Sequence, residues 1–176
     1  MEFELLGWPS EGPTLDLHHE RFAYAGNFVT PRTGKTVVRA GGSVVGAVAF
    51  NEDYARSGTV RLRYVTVRED RRGEGIGPQL LRFTAELLRD RFEDVFIAVN
   101  NPIAYQACYR AGFVSTGEES GMAELLLRYA PEKERSSSRY QDGFEVFRDR
   151  DLPETQRAVI SRHADRLPPP IVSCPE

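Results

Sequence analysis

The chain is expected to fold as an α/β protein: a mixed, mostly antiparallel twisted sheet with helices on both faces, followed by a C-terminal helical extension. Three observations predict this. The first third carries short apolar runs broken by glycine turns, as in a hairpin meander. A glycine-rich turn at 71–77 then joins a strand-like run to a helix-like run. Beyond it, strand-like and helix-like runs alternate to about residue 128, the order of a sheet covered by helices.

Taken in order, Glu2–Leu6 reads as a short strand and Leu15–Phe22 as a weakly periodic helix. Residues 27–34 read as a loop, with Pro31 and Gly34 as breakers. Thr36–Arg39 and Ser43–Phe50 flank Gly41-Gly42 and predict a hairpin. A third antiparallel strand is expected at about 59–67, a helix at 76–91, a strand at 94–99 and a short helix at 102–110. Strands near 113–117 and at Ala123–Arg128 close the domain, taken as residues 1–130. From Pro131 the composition turns polar, and 132–139 reads as a disorder-prone linker within an extension spanning 131–176. Asp151-Leu-Pro-Glu154 has the spacing of a capping box and predicts a helix to about Arg166, stopped by Pro168-Pro-Pro170. That tail is expected to pack on its own domain or on a second copy in a homodimer; the functional alternative is that it covers the acceptor site.

The glycine turn is the chief functional signal. A strand that feeds such a turn, which in turn opens a helix, gathers unpaired backbone N–H groups at the positive end of a helix dipole. Glycines at 73, 75 and 77 let a phosphate approach without a β-carbon in the way. The turn therefore points to a phosphate-bearing ligand. A P-loop requires Lys-Ser/Thr after its last glycine, and Pro78-Gln79 stand there instead. The dinucleotide fingerprint expects G-x-G-x-x-G after an all-apolar strand. Here the glycines run G-x-G-x-G, after a strand that carries Arg61 and Arg63.

Arg72-Gly-Glu-Gly-Ile-Gly77 resembles the R/Q-x-x-G-x-G/A motif of the GCN5-related N-acetyltransferase superfamily, with Val67 at the family's strand-end valine. Downstream, 101–113 is similar to the family's second signature, N-x-x-A-x-x-L-Y-x-x-x-G-F. The resemblance implies an acetyl-coenzyme A-dependent N-acetyltransferase acting on a primary amine of a small molecule or peptide. It places the cosubstrate on Val65, Thr66, Val67, Arg72, Gly73, Glu74, Gly75, Ile76, Gly77 and Asn101. It also implies a strand bulge around 65–67 whose backbone N–H meets the oxyanion.

The second motif departs from the family at one point. Cys108 stands where relatives usually carry the tyrosine that protonates the departing thiolate, and Tyr109 lies next to it. Tyr105, Cys108 and Tyr109 are therefore the three candidate acids. Tyr105 and Cys108 share a helical face with Asn101. The strand carboxylate that serves many relatives as base is replaced by Arg61 and Arg63, which leaves His18, His19, Glu20 and Asp53 as loose alternatives. If those arginines face the cleft, they favour an acceptor bearing a carboxylate or phosphate. A non-catalytic acyl-coenzyme A sensor is the rival reading, supported by Cys108 and the missing carboxylate; a nicotinamide oxidoreductase is a distant third.

Composition narrows the rest. A net charge of −3 with 40% hydrophobic residues describes an ordinary globular chain, and its arginines are spread among acids rather than clustered for nucleic acid. Two cysteines, Cys108 and Cys174, provide neither a disulfide framework nor metal-ligand spacing, and His18-His19-Glu20 is not H-E-x-x-H. No metal is expected. No apolar run approaches a membrane span, and residues 1–4 lack a basic signal start, so a cytoplasmic location is expected.

Overall fold

The computed structural model describes residues 1–121 and 124–176. They form two compact units, Met1–Val95 with Ser173–Glu176, and Phe96–Val172.

In the first unit, strands β1 (Glu2–Gly7), β2 (Gly34–Ala40), β3 (Ser43–Glu52) and β4 (Thr59–Val67) pair antiparallel in sequence order. The β2–β3 hairpin turns at Gly41 and Gly42, whose φ values of 56° and 79° are those a two-residue turn with the strands' own twist requires. Helix α1 (Ile76–Arg89) lies along β2, β3 and β4. Its buried residues Ile76, Leu80, Leu81, Thr84, Ala85 and Leu88 recur at helical spacing and define one apolar face. Gly46 lets it come close, since a β-carbon there would meet Leu80 at 3.2 Å. Thr36 and Thr84 hydroxyls, 2.6 Å apart, satisfy each other inside this contact.

A second cluster joins Leu17, Phe22, Ala25 and Phe28 from the long β1–β2 connection to Val37, Ala47 and Ala49. The expected helix at 15–22 does not form. Two amides, those of Arg21 and Phe22, both turn back on the His18 carbonyl, and burial of Leu17 and Phe22 takes precedence over a weak helical period. The connection is pinned by Lys35, whose side chain is fully buried. Its ammonium donates to the carbonyls of Pro13 (2.6 Å), Thr30 (2.8 Å) and Thr33 (2.9 Å) and to the Thr33 hydroxyl (3.0 Å).

The second unit contains strands β5 (Asp94–Val99, entering from the first unit), β6 (Phe113–Ser120) and β7 (Glu124–Tyr129). β7 pairs antiparallel with both others. The last strand was expected from Ala123, which lies outside the described residues. Helix α2 (Pro102–Ala111) starts at Asn101, whose side-chain oxygen accepts the Ala104 amide at 2.9 Å, and ends at Gly112 with φ 104°.

Residues from Ser137 onward are not linker but helix α3 (Ser137–Arg148), opened by Ser136, whose hydroxyl accepts the Arg139 amide. Tyr140, Phe144 and Phe147, spaced i, i+4, i+7, are all buried against α2 in an aromatic cluster with Tyr105 and Tyr109. Helix α4 (Glu154–His163) starts at Pro153 and has no side-chain cap, so the expected capping box at 151–154 is absent. Its C-terminal end is closed instead by Gln141, whose amide donates to the His163 and Arg166 carbonyls. The α/β class and the mostly antiparallel pairing match the expectation from sequence.

Candidate functional site

The glycine turn lies in the first unit. After β4 the chain makes one turn of 3-10 helix at Glu69–Arg71 and reaches Gly73 and Gly75 with φ of 84° and 79°. Both angles are in the left-handed region, which glycine enters without strain. Gly75 is the N-cap of α1, and no side chain caps that end. Among the described residues, the backbone N–H groups of Gly73, Glu74, Gly75, Ile76 and Gly77 meet no protein acceptor, whereas Arg71, Arg72 and Gln79 amides are paired. A β-carbon on Gly73 would point into open space, and one on Gly77 would meet only Val67 at 3.7 Å. These are five consecutive unpaired donors at a helix N-terminus, an arrangement that suits an anion.

Two of the acids around it are paired with arginines. Arg68 Nε donates to Asp70 at 2.6 Å, and Arg71 Nε donates to Glu74 at 2.8 Å. Those hydrogen bonds, ahead of the accompanying charge attraction, hold both carboxyls below their ordinary range. Their charges are therefore not left free to repel a phosphate. Arg72 Nε donates to the Val67 carbonyl at 3.3 Å, tying the turn to the end of β4.

Along β4, Val65, Thr66 and Val67 pair in unbroken register with Val48, Ala47 and Gly46. The irregularity lies earlier. Ala49 faces Tyr64 while Phe50 faces Leu62, leaving Arg63 as the extra residue. The expected bulge at 65–67 is thus displaced to 63. The two arginines of this strand are engaged locally, Arg61 with Asp53 at 2.9 Å and Arg63 with Asn51 at 2.6 Å. Burial acts to raise the Asp53 carboxyl, but the Ala55 amide and the charges of Arg61 and Arg63 together keep it low. His18 and His19 stack on each other at 5.5 Å beside Glu20, all three exposed.

Asn101, Tyr105, Cys108 and Tyr109 lie in the second unit along α2 and its N-cap, and the rings of Tyr105 and Tyr109 meet with centroids 5.0 Å apart. Asn101 is spent on capping α2. Tyr105, Cys108 and Tyr109 are all buried. The Tyr105 hydroxyl donates to the Tyr140 carbonyl at 3.0 Å, and the Tyr109 hydroxyl accepts the Ser115 amide at 3.1 Å. Burial pushes the Cys108 thiol well above its ordinary value, and burial followed by the neighbouring tyrosines does the same to Tyr105. Sequence reasoning missed Tyr140, Phe144 and Phe147, which enclose these groups; their i, i+4, i+7 spacing was the available signal.

No group of three or more His, Cys, Asp or Glu side chains among the described residues could hold a metal ion. No helix among them is long and apolar enough to cross a membrane.

Residues 2–113 match the sequence profile of the Acetyltransferase (GNAT) family, well over half of the chain. The chain belongs to that family. It is similar in fold to the IAA acetyltransferase from Bacillus cereus ATCC 14579, at 23% identity over 55% of this chain and 77% of that one, with a TM-score of 0.47. It is likewise similar to the ribosomal-protein-alanine N-acetyltransferase from Brucella melitensis, at 21% identity over 55% and 67% of the two chains, with a TM-score of 0.44. Likeness at this level says nothing of substrate. No curated protein matches the chain.

Proposed function

We propose that the protein transfers the acetyl group of acetyl-coenzyme A to a primary amine of a small molecule or peptide. The observation that carries this is the run of five unpaired amides from Gly73 to Gly77, in the segment where the family holds the cosubstrate's diphosphate. Arg72 and the last residues of β4, Val65, Thr66 and Val67, complete the proposed contacts.

The chemistry needs little from the protein beyond placement. A neutral amine attacks the thioester carbonyl, the C–N bond forms, and the oxyanion of the tetrahedral intermediate is met by a backbone N–H near the end of β4. The attacking nitrogen gives up a proton to water, collapse breaks the C–S bond, and the coenzyme A thiolate that is released takes up a proton in turn. Tyr105, Cys108 and Tyr109 are all buried, burial makes Tyr105 and Cys108 weaker acids than usual, and the Tyr109 hydroxyl accepts the Ser115 amide, so water is the proton source we favour. Tyr105→Phe, Cys108→Ala and Tyr109→Phe should then each retain turnover. Loss in one of them, with the fold intact, returns that residue to the role of acid.

The test is calorimetry with acetyl-coenzyme A, then free-thiol release over a panel of amines. Gly75→Asp sets a carboxylate against the diphosphate and should weaken binding by at least about tenfold, since like charges at contact cost more than one such factor. Absence of coenzyme A binding to the wild-type chain overturns the proposal. Binding with no turnover over any amine favours instead a non-catalytic acyl-coenzyme A sensor. That second reading draws support from β4, which carries Arg61 and Arg63 where the strand of many relatives carries a carboxylate, Arg61 being held by Asp53.

A further inference from the structure

We propose that the first unit carries a second binding site, for a free amino acid with an apolar or aromatic side chain, at the end of its sheet remote from the glycine turn. The site is an open cavity of about 700 Å³ lined by Trp8, Arg32, Glu52, Tyr54, Arg91 and Phe92 among others. A hollow of about 370 Å³ continues it past Glu52, Tyr54, Arg91 and Phe92 to Thr59, the first residue of β4. β4 runs nine residues from there to Val67, a span of roughly 25–30 Å at a strand's rise per residue. A small ligand here does not touch the diphosphate cradle, and the inference stands apart from the proposed activity.

Arg61, Arg68 and Arg71 are each held by a carboxylate. Arg32, Arg91 and Glu52 line one cavity, yet among the described residues none of the three makes an ion pair. Opposite charges that face one space without pairing leave a gap that a ligand carrying both signs can bridge. The guanidinium carbon of Arg91 sits 3.8 Å from the centre of the Trp8 ring. Stacked there, it keeps its N–H edge free for a carboxylate in its own plane. Glu52 then suits an ammonium. The indole, Phe92 and Tyr54, the last 91% exposed, supply apolar wall for a side chain. A nucleotide or inorganic phosphate fits less well, because Glu52 would oppose it.

Trp8 is the chain's single tryptophan, so its emission reports this cavity and nothing else. L-leucine and L-phenylalanine titrated into the full chain should change that emission saturably. Glu52→Gln and Arg91→Gln should each weaken the effect about tenfold or more, the size expected for losing a hydrogen bond to a charged group. N-acetyl-leucine, lacking the ammonium, and leucinamide, lacking the carboxylate, should bind correspondingly less. Glu52 and Arg91 are exposed, and an unchanged melting temperature verifies that the variants fold. The proposal is overturned if no amino acid gives a saturable change up to about 10 mM, beyond the range of even weak specific sites. It is also overturned if N-acetyl-leucine or ATP binds as well as leucine, or if both variants bind like the wild type.

Discussion

Gly143 of α3 and Tyr105 of α2 pack so closely that a β-carbon on the glycine would lie 2.1 Å from the phenolic oxygen. That oxygen is also fixed from the same helix, through its hydrogen bond to the Tyr140 carbonyl. The two helices can therefore share the aromatic cluster only while position 143 has no side chain. Gly143→Ala should destabilise the protein by about 1–3 kcal/mol despite alanine's better helix propensity, because overpacking a closed core outweighs it. Urea denaturation measures the loss. Adding Tyr105→Leu should return part of it, a coupling between the two sites; strict additivity would mean they do not collide.

Burial makes a prediction about the two cysteines. Cys108 is enclosed with its thiol pushed up, while Cys174 is exposed. A thiol reagent needs the thiolate and a path to it. Native protein at pH 8 should expose one reactive thiol, and denatured protein two. Two rapid thiols in the native state would show that Cys108 is reachable, and would reinstate it as a candidate acid.

The same interior sets the alkaline limit of stability. Burial raises Cys108 above the ordinary 9.0 and Tyr105 above 10.0, and it pushes Tyr140 up to about 12. Each group is neutral while protonated. Above its ordinary value the unfolded chain releases the proton and the folded chain keeps it, so stability falls as pH rises. The contribution is fully present below about pH 9 and is lost from there upward, Tyr140 itself titrating near 12. Urea midpoints from pH 7 to 11 should decline beyond 9, and Cys108→Ala should remove the earliest part of the decline. A flat profile would contradict the enclosure.

Much of this architecture could be read before the structure. The Gly41-Gly42 hairpin and the Val67–Gly77 turn follow from local glycine chemistry, which needs no distant partner. What was hidden depended on tertiary context. The Glu132–Arg139 run looks like linker by composition, and Gly143 weakens the helical signal behind it. Only the burial of Tyr140, Phe144 and Phe147 against α2 stabilises α3. The opposite error occurred at Leu15–Phe22, where a faint helical period lost to the burial of Leu17 and Phe22 under Phe28. At the site, the cradle amides were legible from their glycines. The closure of Tyr105, Cys108 and Tyr109 was not, because the residues that close it are more than thirty positions away.

Lys35 was equally hidden, since a lysine in a short strand reads as surface. Its ammonium is instead the partner of three carbonyls and a hydroxyl that hold the 13–33 connection to β2. Lys35→Met matches the length of the stem but removes every donor, leaving the Pro13, Thr30 and Thr33 carbonyls to face an apolar group. Stranding buried acceptors of a charged donor should cost about 2–4 kcal/mol. Lys35→Arg should fail as well, because a planar fork cannot replace a compact ammonium among three converging carbonyls. Hydrogen exchange locates the damage. Protection should fall at the Leu15 amide, which donates to Phe28, and stay unchanged along α2 in the other unit. Retention of wild-type stability in Lys35→Met would show that water can take over the ammonium's four contacts.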